Sequence, residues 1–178
     1  MNRAFSHTDL EIKQHFLKLA REFRERATED NKDTDQQRLA NQLAGSLLYM
    51  NVADYIAEYL VTGLNTLAKE SMNQYYLGVI SINPPKKEGF NIGDSIYKLE
   101  RYDFPKKLEV IAELREIKSA RNKIAHQILK TNGKDLENID AATQLLADHT
   151  EELVTLVDTI SSGMPPRTVI EKLDEANS

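Results

Sequence analysis

Arg121, Asn122 and His126 lie within two helical turns of one another, in the stretch Ile117-Lys118-Ser119-Ala120-Arg121-Asn122-Lys123-Ile124-Ala125-His126. Together they suit one kind of chemistry. Cleaving RNA without a metal needs a group that takes the 2′-hydroxyl proton and a group that protonates the departing 5′-oxygen. It also needs positive charge on the pentacovalent phosphate. A histidine titrates near neutrality and serves either proton transfer. A guanidinium meets phosphate oxygens with a planar fork of donors. Asn122, four residues before His126, is placed to orient the imidazole or to touch the phosphate.

The helix that carries them sets their directions. With Arg121 as origin and a step of about 100° per residue, Val110, Leu114, Ile117, Ile124 and Ile128 fall within about 60° of it. Arg121 is therefore expected in the middle of an apolar stripe, where a cation is costly unless it is paired or faces a wet cleft. Asp54 and Glu58, four apart on a preceding helix, are the partners the sequence offers. Asn122 falls at about 100° and His126 at about 140°, on the polar margin. A two-fold dimer apposing two such helices would bring two histidines and two arginines to one cleft.

Charge is concentrated at the same place. From Phe104 to Lys134 there are eight basic residues against three acids, a net of +5, so the rest of the chain carries −10 of the total −5. The acids Glu109, Glu113 and Glu116 all precede Lys118, which leaves Lys118, Lys123 and Lys130 as the candidate RNA-binding cations. From Asp135 to Ser178 ten acids face two basic residues, so that segment is no nucleic-acid surface by itself. The overall acidic balance argues against a broad nonspecific grip on nucleic acid.

Scarce Gly and Pro (7 and 5 of 178 residues) and abundant Leu, Ala, Lys and Glu predict an all-α protein. The expected architecture is an up-and-down bundle of about four long helices. The first begins near Thr8, in Thr8-Asp9-Leu10-Glu11 with capping-box spacing. It carries the stripe Ile12, Phe16, Leu19, Phe23 and Ala27. The second runs from about Thr34 to about Met72. The third follows Pro105 and reaches Lys130, closed by Thr131-Asn132-Gly133. The fourth runs from Leu136 to about Ile160. Residues 75–104 form an inserted connection between the second and third. A short extended piece is expected at 77–82, an exposed loop at 84–89, and a short helix from Asp94, as cap, to about Arg101. Residues 1–162 then make one domain and 163–178 a tail, with a short amphipathic piece around 169–173.

Other chemistries find little support. The chain has no Cys, hence no disulfide, thiolate site or Cys nucleophile. No His-x-x-x-His or His/Asp cluster suggests a metal, and no Gly-rich phosphate loop is present. His149 falls on the apolar stripe of the fourth helix and reads as a core or interface histidine. Tyr55, Tyr59, Tyr75, Tyr76, Tyr97 and Tyr102 have the side chain for base stacking, though Tyr55 and Tyr59 fit the core stripe better. No apolar run reaches the roughly 18–20 residues of a membrane span. The first residues lack the apolar stretch of a secretory leader, so a cytoplasmic protein is expected.

The segment Ile117–His126 resembles the signature of the HEPN superfamily: Arg, four to six residues, then His, commonly with a polar residue directly after the Arg. Gly89-Phe90 to Leu99, followed by Leu114-Arg115-Glu116-Ile117, is similar to the lead-in of several HEPN branches. The resemblance implies a helical bundle that dimerises through the motif helix. It implies a metal-independent endoribonuclease on single-stranded RNA, leaving a 2′,3′-cyclic phosphate and a 5′-hydroxyl, in toxin–antitoxin or phage-defence systems. Arg121 and His126 would be catalytic, Asn122 supporting, with no cofactor. RNA, a second copy of the chain and an antitoxin or regulatory protein would be its partners. In the HepT-like toxin branch a Tyr stands two residues after the His; here that residue is Ile128, so the chain does not resemble that branch. The alternative is a non-catalytic HEPN-like module that binds nucleotide, RNA or protein through the same cleft. A third class is a helical scaffold in which Arg121 is sealed in a salt bridge.

Overall fold

The computed structural model describes residues 7–28, 34–76, 91–131 and 135–163, with side chains over 13–28, 34–69, 91–131 and 135–162. Among the described residues all regular structure is helical, as expected: α1 (His7–Thr28), α2 (Asp35–Tyr76), α3 (Ile92–Leu99), α4 (Lys107–Thr131) and α5 (Leu136–Gly163). The extended piece at 77–82, the loop at 84–89 and the amphipathic piece at 169–173 lie outside the described residues. None of the described helices is long and apolar enough to cross a membrane.

Local chemistry starts the helices. Thr34 and Gln37 form a reciprocal box before α2. The Thr34 N–H donates to Gln37 Oε1 at 3.0 Å and the Gln37 N–H to Thr34 Oγ1 at 3.4 Å, which satisfies donors the first turn leaves open. Asp135 caps α5 by accepting from the Asn138 N–H at 3.3 Å. Helix α3 begins earlier than Asp94, contrary to the sequence expectation. Its cap is Asn91, whose side chain accepts from the Asp94 N–H at 3.0 Å. Asp94 is the third helical residue, its carboxylate taking the Asn91 amide at 2.8 Å. The reason is that Ile92, Ser95, Ile96 and Leu99 are the buried face, and burying Ile92 needs the extra half-turn.

Helix α2 runs parallel to α5, fixed by Gln42 on Asp140 at 3.3 Å and by the buried hydroxyl pair Ser46–Thr143 at 3.0 Å. Helix α1 lies antiparallel to both. It approaches α2 closely at Gly45, where an added Cβ would lie 3.3 Å from the Ala20 carbonyl oxygen. Along its other edge Arg21 bonds Glu151 at 2.8 Å and Arg24 bonds Gln144. Helix α4 packs chiefly on α5, and α3 fills the angle between α2 and α4. Leu99, Leu114, Ile117, Ile124, Leu146 and Leu153 are fully enclosed there. Each such side chain is worth about 2–5 kcal/mol against Ala.

The buried face of α1 differs from the predicted stripe. Lys13, Leu17, Ala20 and Ala27 turn inward, while Phe16 is 41% exposed and Leu19 and Phe23 are half-buried. The cause is Lys13. Its ammonium sits 3.7 Å from the centroid of the Tyr59 ring and 5.3 Å from that of Tyr55, a cation–π arrangement that lets a Lys replace an aliphatic residue. Its charge also acts on Asp158 of α5, opposing the burial that pushes that carboxyl up. Tyr55 and Tyr59 therefore line the α1–α2 seam rather than the centre of the core.

Candidate functional site

Arg121 is half-buried and pairs with Asp54 of α2, Nη1 to Oδ2 at 3.7 Å, with 43% of its side chain exposed. It stands at the edge of the buried arc of α4, not in its middle as the spacing predicts. In the C-terminal half of this helix Ile117, Ala120 and Ile124 face inward. The arc there centres about 60° away from Arg121. Ala120, too small to weigh in an apolar stripe, is buried and draws the inward arc away from Arg121. The guanidinium thereby reaches solvent.

The pair is loose. A well-formed guanidinium–carboxylate bond measures about 2.7–2.9 Å, so most of the donor fork of Arg121 stays available. Asp54 is the more constrained partner. Its Oδ1 is buried without a well-formed hydrogen bond. Burial pushes the carboxyl above its ordinary value, while the Arg121 charge and the backbone N–H of Ile92, at the start of α3, pull the other way. The α3 segment thus bears on Arg121 through Asp54.

Asn122 and His126 are both exposed, as are Lys118, Lys123 and Lys130. No hydrogen bond or ion pair among the described residues joins Arg121, Asn122 and His126 to one another. Arg121 and His126 point about 140° apart around α4. Lys118 leans on α3, where a Cβ added to Gly93 would lie 3.3 Å from its Nζ. On the open side, Ala125 is exposed and Leu129 is 85% exposed, one turn beyond Ala125.

His149 is a partly buried interface histidine, its Nδ1 2.8 Å from Glu113 Oε2 of α4. That bond ties α4 to α5, and the 36-residue separation hides Glu113 from any local pattern. The roles of Asn91, Ile92 and Gly93 around Asp54 and Lys118 were likewise invisible in sequence, where the only signal was the Asn-x-Gly-Asp spacing of a cap. Among the described residues no group of three or more His, Asp or Glu side chains is gathered as a metal would require.

No protein-family model, curated protein or solved structure matches this chain.

Proposed function

We propose that the chain is a HEPN-like, metal-independent endoribonuclease acting on single-stranded RNA, working as a homodimer through α4. In this reading α1, α2, α4 and α5 are the four helices of an up-and-down bundle, and α3 belongs to an insertion of about residues 75–104. Arg121 stabilises the charge of the phosphorane, His126 moves a proton, and Asn122 orients one or the other. Lys118, Lys123 and Lys130 hold the flanking phosphates. The observation that carries the reading is the state of Arg121: a guanidinium loosely held and 43% exposed, beside an exposed Asn122 and five residues before an exposed His126 on the same helix. A sealed structural salt bridge would have buried it.

The open face of α4 supports the dimer. Asn122, Ala125, His126 and Leu129 share one side, a polar group and an imidazole around an exposed aliphatic centre. Small apolar centres ringed by polar groups are what subunit contacts bury. Two-fold apposition of this face would bring the His126 of one copy toward the Arg121 of the other.

One observation favours the alternative of a non-catalytic binding module: within a subunit, Arg121 and His126 do not meet. The test is cleavage of a mixed RNA pool in EDTA by the wild type and by His126→Ala. Because His126 is exposed, the variant should keep its helical circular dichroism while cleavage falls by at least about 10²-fold. The fragments of the wild type should end in 2′,3′-cyclic phosphates. Bound but intact RNA with the folded wild type favours the binding module, and a His126→Ala variant as active as the wild type removes His126 from the mechanism.

A further inference from the structure

Resting on the RNA reading of the α4 site, the geometry points to a base-stacking platform at Tyr97. We propose that this ring, backed by the Arg101 guanidinium, receives a base of the single strand as it leaves Arg121 past Lys118.

Of the tyrosines with described side chains, Tyr97 is the most open, at 58%. Tyr49 is buried, Tyr55 and Tyr59 take Lys13, and Tyr102 bonds Asn65. A single exposed tyrosine is ordinary, but this one is held. Arg101 donates from Nη2 to its hydroxyl at 2.6 Å and places its guanidinium carbon 4.5 Å from the ring centroid. A ring fixed in this way loses less freedom when a base stacks on it, and the guanidinium is itself a second planar surface.

Its place in the fold connects it to the α4 site. Lys118 rests against Gly93, and Tyr97 is one turn beyond Gly93 on the same side of α3, about 6 Å along the axis. Of the carboxylates on residues 94–109, Glu100 is paired with Arg115 at 2.8 Å and Glu109 with Lys106 at 3.4 Å, while Asp94 accepts from the neutral Asn91 amide and keeps its charge. Asp103 remains. Among the described residues no carboxylate pairs with Lys118 or Arg101, so one cation lies against Gly93 and another over the ring. Phosphate on Lys118 and a base on Tyr97 is the combination that sequence-tolerant single-strand binding uses.

The test is fluorescence anisotropy of labelled single-stranded oligouridine and oligoadenosine of about twelve nucleotides, with the full chain carrying His126→Ala so that the RNA stays intact. Adding Tyr97→Ala should weaken binding about ten-fold, while Tyr97→Phe and Tyr97→Trp should stay within about two-fold of the parent. Tyr97→Ala should leave the salt dependence unchanged, whereas Lys118→Ala should make it shallower. Unchanged affinity in Tyr97→Ala, or a Tyr97→Trp as weak as the Ala variant, overturns the platform and leaves the RNA reading standing. A parent that binds neither oligonucleotide overturns both.

Discussion

Asp54 is the residue on which the candidate site turns, because it restrains Arg121 without satisfying it. At 3.7 Å the carboxylate lowers the cost of a half-buried cation, yet leaves donors for an incoming phosphate. The arrangement costs Asp54 itself. Burial raises its carboxyl, so a proton binds it more tightly in the folded chain than in the unfolded one. Stability linked to this group is present at acid pH and falls as pH rises through the raised value. Asp54→Asn cannot ionise and lacks that slope. Urea midpoints measured from about pH 4 to about pH 7 should therefore shift progressively in favour of the Asn variant relative to the wild type. A difference between the two that stays constant with pH would show that Asp54 carries no raised ionisation.

At the scale of elements, the fit of α1 against α2 depends on Gly45. A glycine in the middle of a helix costs roughly 0.5–1 kcal/mol against Ala, and here the gain is a backbone-to-backbone approach. The Ala20 carbonyl would be 3.3 Å from an added Cβ, with the Phe23 Cβ at 3.6 Å. Gly45→Leu should force the helices apart and lower the unfolding free energy by about 1–3 kcal/mol, read from urea denaturation. Gly45→Ala should change it far less, since helix propensity and crowding oppose each other. Elements of this kind show how far the sequence speaks. The long helices were legible because Leu, Ala and charged residues repeat at helical spacing over many turns, and Asp54 was nameable as a partner because Arg121 needed a carboxylate. The face of α1 was not legible. Apolar periodicity counts Phe16 and Phe23, whereas the fold buries Lys13 by surrounding it with the rings of Tyr55 and Tyr59, residues some 40 positions away. The Asn91 cap was not legible for a similar reason: Asn and Asp are about equally good caps, and the burial of Ile92 that decides between Asn91 and Asp94 is a tertiary fact. The edge position of Arg121 goes with the burial of Ala120, a residue that a hydrophobic stripe ignores.

For the whole molecule, the proposed catalytic set is divided by the pitch of α4. Arg121 and His126 lie about 140° apart, so in the proposed dimer one copy would supply the arginine and the other the histidine. Two inactive variants should then repair each other. Mixing Arg121→Ala with His126→Ala under conditions that exchange subunits should restore about a quarter of the wild-type cleavage, since about half the dimers are mixed and each holds one intact site. Mixtures as silent as their parents would place both groups in the same subunit's site. The angular offset on one rigid rod has a further meaning. If neither copy holds a working centre alone, the reaction rate at low abundance follows the square of the amount of chain. A cell that makes little of it carries almost no activity, and a modest rise in synthesis acts as a threshold rather than a dial.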